Sequence, residues 1–220
     1  LTLTDNDEWQ RPGMLLPMDA AFALAEQLRC RCQESVGGRV TFRYGPACEN
    51  STTPTLLRQV RALADQHGVA IHMHIAESKY GWDNIHRRHG VSPVRYLDDL
   101  GLLGRDLLGA HLIWLTDNDI EILKETGTTV SYNPECHMKL ALGVSPVVKM
   151  LRAGIPVSLG TDSPAVNDNM DLFEAARVGA SLQKLSSSDP TVVPAYQALE
   201  MATIGGAKAL GMAAEIGSLE

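Results

Sequence analysis

No long apolar run occurs in this chain of 220 residues. Its hydrophobic stretches are short and broken by Gly, Pro or charge, so no membrane-spanning helix is expected. There is no basic stripe either. Nineteen Lys and Arg stand against 26 Asp and Glu, a net charge of −7, and an acidic surface repels phosphate, so nucleic acid is not an expected partner. The opening LTLTDNDEWQ has neither a basic start nor an apolar core, which argues against a signal peptide and for a cytoplasmic protein. The four cysteines, Cys30, Cys32, Cys48 and Cys136, form no C-x-x-C pair and read as free thiols of a reducing compartment. No Gly-rich phosphate loop follows the first strand pattern, which weakens a dinucleotide-binding reading. Low-complexity segments and clear linkers are missing as well. The chain opens at Leu1 without methionine and closes on AAEIGSLE, which reads like the start of another element. The expectation is a piece of a longer protein.

What is present is a regular alternation. The apolar fraction of 45% and the charged fraction of 20% are those of an ordinary globular domain, and the length suffices for one sizeable core. Strand patterns cover 38–46, 69–77, 107–115, 128–134 and 155–163. Helical patterns follow at 53–68, 92–103, 116–127, 145–154, 168–186 and 194–211, with another before them at 17–34. Pro in the first turn and Gly after the last recur at these helices, as at Pro54 and Gly68, or Pro93 after Ser92. Alternating β and α units imply a parallel sheet with right-handed crossovers, either doubly wound or of TIM-barrel type.

In such folds chemistry gathers at the carboxyl ends of the strands. Those ends are rich in polar groups here. The stretch IHMHIAES, residues 71–78, carries His72, His74 and Glu77. His72 and His74 share one strand face, because side chains alternate with a period of two. The third strand carries His111, the fourth runs into Asn133, and the fifth into Thr161, Asp162 and Ser163. Taken singly, a strand histidine is often a satisfied core residue and an Asp after Gly-Thr often a helix cap. Together they resemble a hydrolytic metal site. His74 and Asp162 can supply nitrogen and oxygen ligands, Glu77 can carry a proton, and His111 can orient water or stabilise developing charge.

Four segments carry a resemblance to a known family: HIAES, LLGAHLIWLTDNDI, SYNPECHMKLALGVSPVVKMLRAGIPVSLGTDSPAVNDNMDLFEAARV and ALEMATIGGAKALGMAAEIGSLE. They resemble the amidohydrolase superfamily, in its branch of metal-dependent aromatic deaminases and chlorohydrolases. The resemblance implies an α/β fold of TIM-barrel type, with residues 1–220 holding about five β/α units, barrel strands four to eight. It implies metal ligation by His74, rather than His72, and by Asp162. It assigns proton transfer to Glu77, a place beside the reacting water to His111 and general-base duty to Asp162; Asn133 and Ser163 become substrate-binding candidates. His72 is then expected to be a buried packing residue. The strand at 40–44 has no lysine, which in this family implies a single divalent metal, zinc or alternatively iron. The family's H-x-H on the first barrel strand has no counterpart before residue 38, so the chain is expected to start near the third helix. Two open flanks would follow, and with them a homo-oligomer. Two positions depart from the branch and bear on the substrate pocket: Ala47 stands where a histidine often contacts substrate, and Val166 where a small polar residue often sits. The implied activity is hydrolytic deamination of a small N-heterocycle. The alternatives are chloride or alkylamine displacement on a triazine, or a catalytically inactive, ligand-binding remnant.

Overall fold

The computed structural model describes residues 2–5, 16–35, 37 and 40–219. A helix, α1 (Met18–Gln33), precedes the first strand, β1 (Arg43–Tyr44). Then come α2 (Pro54–His67), β2 (Ala70–Ile75), α3 (Lys79–His89), α4 (Pro93–Asp99), β3 (Leu107–His111), α5 (Asp117–Thr126) and β4 (Thr129–Tyr132). The carboxyl-terminal part holds α6 (Pro134–Lys139), α7 (Val147–Arg152), β5 (Val157–Leu159), α8 (Pro164–Asn167), α9 (Leu172–Ser187), α10 (Ala195–Ala202) and α11 (Ile204–Leu210).

All strand pairs are parallel, and the spatial order is β1-β2-β3-β4-β5. Strand order that follows chain order has no reversal point, so the sheet is an arc of a singly wound barrel and not a doubly wound sheet. Helix caps explain why the units begin and end where they do. Thr53 accepts from Leu56 N to open α2, and Gly68 at φ 60 closes it in the left-handed region that glycine tolerates best. Thr116 and Asp119 form a reciprocal capping box on α5.

The structure revises several boundaries. The first strand is two residues long where 38–46 was expected; Gly38 and Arg39 lie outside the described residues. The run at 194–211 is two helices, because Thr203 breaks it at φ −120 and ψ −95. There Gly205 approaches so closely that a Cβ would meet Glu200 O at 2.9 Å and Val157 O at 3.0 Å, which lets α11 pack on β5. The expected helix at 168–186 begins at Leu172, where Asp171 accepts from Phe173 N and Glu174 N. The helices α3 and α6 were not anticipated. A bridge to the sheet precedes α1. Leu3 is buried and bridges to Pro46 in parallel, with Leu3 N donating to Gly45 O at 2.7 Å and Ala47 N to Leu3 O at 2.8 Å. A short strand fragment thus lies on the outer flank of β1, and Asp5 anchors it by accepting from Thr53 N at 2.7 Å and Thr53 Oγ1 at 2.5 Å.

The core lies between the outer face of this arc and its helices. Tyr44, Leu57, Val60, Ile71, Ile75, Leu97, Leu107, Leu123 and Val130 are fully buried there. The other, concave face of the sheet carries the polar strand-end residues.

Candidate active site

Three strands end in residues with left-handed backbone. Ala76 (φ 48) follows β2, His111 (φ 75) and Leu112 (φ 48) end β3, and Asp162 (φ 63) follows β5. Such conformations are unfavourable for these residue types and cluster where a fold must aim side chains. Here each one turns the chain sharply at the carboxyl end of its strand. The bends are held by main-chain bonds: Leu112 N donates to Ile75 O at 3.0 Å, and Ile113 N and Trp114 N both donate to Ala76 O at 3.1 Å. Ala76 N in turn donates to Glu49 Oε1 at 3.2 Å.

The side chains converge on a cavity of about 460 Å3 on the concave face, whose lining includes His72, His74, His111, Asn133, Thr161 and Asp162. Another cavity, of about 520 Å3, lies at the opposite end of β1 and β2, but no histidine is among its lining residues. The strand-end cavity is therefore the chemically equipped one.

His111 is at the centre. It is 1% exposed, with Nε2 3.7 Å from Glu77 Oε1 and 3.8 Å from Asp162 Oδ2. Its ring stacks on His74 at 5.3 Å between centroids. Burial and then the neighbouring His137 push its pKa down to about 3, so the ring is neutral. Burial raises the Glu77 carboxyl above the usual range; His74 opposes this and Asp162 adds to it. Asp162 goes the other way. Burial alone would raise it, but the Ser163 N–H, donating at 2.7 Å, the Cys136 thiol and the two imidazoles outweigh burial and hold it below the ordinary carboxylate value. The two carboxyl groups are thus driven apart, Glu77 toward acid and Asp162 toward base.

His74 is exposed on the concave face, and its Nδ1–H donates to Ala47 O at 2.6 Å. A backbone carbonyl on Nδ1 leaves Nε2 as the lone-pair nitrogen, the arrangement of a histidine prepared to bind a metal. Ala47 has no side chain to offer substrate, yet its carbonyl orients this ring. His72 is also exposed and lines the cavity, which corrects the expectation of a buried packing residue. Period-two alternation puts it on the inner face with His74, and that face is open.

Asn133 is buried in the lining, and its Oδ1 accepts from Ser131 Oγ at 2.9 Å. A side chain at Gly160 would collide with both groups, so glycine is required there for the strands to approach. Ser163 is exposed at the start of α8 and outside the lining residues; its backbone N–H, bound to Asp162, is what enters the site.

Two residues of α6 were not recognised from sequence. Cys136 and His137 are each 1% exposed. The Cys136 thiol, pushed up to about 12 by burial and by its bond to Asp162, donates to that carboxylate. His137 Nε2 lies 3.1 Å from His111 Nδ1. The available signal was their position one residue after Asn133-Pro134 at a strand end, in place of an ordinary surface turn. Among the described residues, His111, Cys136 and Asp162 form a donor cluster whose ligand atoms all lie within 4.8 Å of one another. Of the donors in and beside this cluster, the Asp162 carboxylate and the His74 imidazole, stacked on His111, suit zinc or a similar divalent ion.

Comparison with known proteins places the chain in a family. The model of the amidohydrolase family matches residues 11–220. The chain is 47% identical over 179 residues to a 5'-deoxyadenosine deaminase of Methanosarcina mazei, an alignment covering 81% of the chain and 41% of that protein. It is 43% identical over 197 residues to a 5-methylthioadenosine/S-adenosylhomocysteine deaminase of Syntrophomonas wolfei, covering 89% of the chain and 46% of the relative. Among solved structures, an adenosine deaminase from Xanthomonas campestris with bound zinc superposes with a TM-score of 0.91 at 30% identity, covering all of the chain and 48% of that protein. The chain spans less than half the length of these relatives. It belongs to the amidohydrolase family.

Proposed function

We propose that the protein is a metal-dependent deaminase that hydrolyses the exocyclic C–N bond of an N-heterocycle and releases ammonia, with an adenosine-type nucleoside as substrate. The observation that carries this is the opposed pair Glu77 and Asp162, placed 3.7 and 3.8 Å from the same nitrogen of His111. One group is poised to give a proton and the other to take one, across a neutral imidazole.

Residues suited to hold the metal are His74, through Nε2, and Asp162. The bound ion would supply Lewis-acid activation of water near neutral pH. The chain's own groups do the rest. Asp162 accepts the proton of the attacking water and passes it to the exocyclic amine, so that the C–N bond breaks with ammonia as the leaving group. Glu77 donates a proton to a ring nitrogen, which lets the heterocycle accept the electron pair as the carbon becomes tetrahedral. His111 offers a hydrogen bond to the incoming oxygen. Asn133 lines the cavity and would contact the heterocycle. The substrate class follows from the adenosine-type deaminases at 47% and 43% identity.

The test is ammonia release by zinc-supplemented protein offered 5'-deoxyadenosine, methylthioadenosine, S-adenosylhomocysteine and guanine. Release from the adenosine compounds and not from guanine is expected. Release from guanine alone would overturn the substrate class. Release from none of them, under conditions where zinc is bound, would overturn deamination.

A further inference from the structure

We propose that His137 is a positioning residue that fixes the tautomer of His111: its Nε2–H donates to His111 Nδ1, so the single ring proton of His111 sits on Nε2 and points at Glu77 and Asp162. The proposal deepens the deaminase reading, and rests on it only for the catalytic consequence.

The contact itself, 3.1 Å between His137 Nε2 and His111 Nδ1, admits two proton arrangements. Either His137 donates or His111 does. Only one proton fits between these two facing nitrogens, and the ring that accepts it must carry its own proton on its far nitrogen. Two independent features choose between the arrangements. First, the far nitrogen of His111 faces two carboxyl groups, at 3.7 and 3.8 Å. A proton there meets the Asp162 carboxylate, the ionised member of the pair, whereas a bare lone pair would face that oxygen with like charge. Second, the far nitrogen of His137, Nδ1, is buried and has no hydrogen-bond partner among the described residues. If His111 donated, the proton of His137 would have to sit on that nitrogen, leaving a buried N–H with no acceptor. If His137 donates, only a lone pair is left bare, a lighter defect than an orphaned donor. Both features select the same chain: His137 Nε2–H to His111 Nδ1, then His111 Nε2–H toward the carboxylates.

His137 is held firmly enough to act this way. Its N–H donates to Asn133 O at 3.1 Å, its carbonyl accepts from Leu142 N at 2.9 Å, and Tyr132 packs against the ring at 5.6 Å between centroids. With the proton of His111 fixed on Nε2, this ring acts as a donor to an incoming oxygen and not as a base, which leaves proton acceptance to Asp162.

The experiment is nuclear magnetic resonance of the chain with isotope-labelled histidine rings, where each ring nitrogen reports whether it is protonated. Protons on Nε2 of both His111 and His137, and on neither Nδ1, are expected. In His137→Leu the other His111 tautomer should gain several-fold in population. In His137→Gln, whose amide can still donate, it should not. A His111 ring protonated at Nδ1 in the unaltered protein overturns the proposal whether or not any variant folds; so does a His111 ring unmoved by His137→Leu. In the zinc-loaded enzyme assayed on an adenosine nucleoside, His137→Leu should lower kcat roughly 10- to 100-fold with KM little changed, and His137→Gln should recover most of it. Equal losses in both variants would overturn the positioning role. Absence of ammonia release from the unaltered enzyme would sink the deaminase reading alone and leave the ring assignment standing.

Discussion

The two faces of β2 and the bent end of β3 make an instructive set. On the outer face of β2, Ile71, Met73 and Ile75 are 0%, 1% and 0% exposed, packed toward the helices. On its inner face, one residue along each time, His72 and His74 are exposed. On β3, His111 is in register with Ile75 of the outer face, yet its left-handed backbone at φ 75 turns the ring into the cavity, where it is 1% exposed beside Cys136 and His137 of α6. Alternation alone therefore fixes neither the face of a residue at a bent strand end nor its environment. The environment comes from whatever packs over that face, and here only the half of the site beneath α6 is fully enclosed. The outer face supplies stability and the inner face supplies chemistry, so substitutions on the two faces should separate the two properties.

The largest effect is expected on the inner face, at the opposed carboxyl groups. Asp162→Asn or Glu77→Gln removes a proton-transfer group and should lower kcat by about 10² to 10⁴. Neither should lower stability comparably, since Glu77 and Asp162 are partly exposed. Steady-state rates with melting curves on the same samples check this. Loss of the cooperative melt in Asp162→Asn would show that the group is structural.

The outer face should respond in the opposite sense. Ile71 is fully buried, and Ile71→Ala should cost about 2 to 5 kcal/mol, from lost burial plus the cavity left behind. Denaturant titration reads this directly, and the folded fraction should keep its turnover per site. A fall in kcat matching the fall in Asp162→Asn would mean that the two faces are not separable.

The comparison also explains what was legible beforehand. His74, Glu77, His111, Asn133 and Asp162 were readable because each stands at the end of an apolar run, and strand ends share one rim in a parallel sheet. The singly wound arc was readable from the β/α alternation joined to the resemblance. The helix α3 was not, because only Gly81, Asn84 and Ile85 of its residues are buried and its last turn holds His86, Arg87, Arg88 and His89. Such a helix has almost no apolar stripe to detect. Cys136 and His137 were missed for a different reason. Their roles depend on α6 folding back over β3, and nothing in the local pattern of Pro134–Lys139 encodes a partner 26 residues upstream. His72 was misplaced because its face was right and its cover was assumed.

A smaller effect, and one in pH, concerns Glu49, which links the outer packing to the inner site. It is 3% exposed; Oε1 accepts from Ala76 N, and Oε2 is buried without a partner among the described residues. Burial pushes its pKa up to about 7 from 4.5, against the hydrogen bonds from backbone N–H groups and with a push from Glu77. The folded state therefore holds this proton more tightly than the unfolded state does. Below about pH 4.5 both states are protonated and the contribution is complete. Between about 4.5 and 7 the unfolded chain ionises freely and the folded one resists, so stability declines by roughly 3 kcal/mol across that window. Above it the slope flattens. Glu49→Gln should remove this component of the slope while keeping an acceptor for Ala76 N. Denaturation midpoints measured across the window in both proteins check it, and an unchanged slope in Glu49→Gln would place the titration elsewhere.

The smallest expected effect belongs to His72, and it is the one that tests the pair His72-Met73-His74 most sharply. Both imidazoles lie on the same exposed face, yet only His74 has its Nδ1–H engaged by a backbone carbonyl and its ring stacked on His111. His72 sits one pleat further from the strand end, on the side of the amino terminus of β2. His72→Asn should change stability by less than about 0.5 kcal/mol, as for an exposed residue with no special contacts. It should leave zinc affinity nearly intact, whereas His74→Asn should lower that affinity by an order of magnitude or more, since it removes a ligand. Competition for zinc against a chelator of known affinity measures both variants on one scale. If the order were reversed, with His72→Asn losing the metal and His74→Asn keeping it, the Ala47 carbonyl would be holding a structural ring, and the metal would have to sit deeper on the concave face than the donor cluster of His111, Cys136 and Asp162 allows.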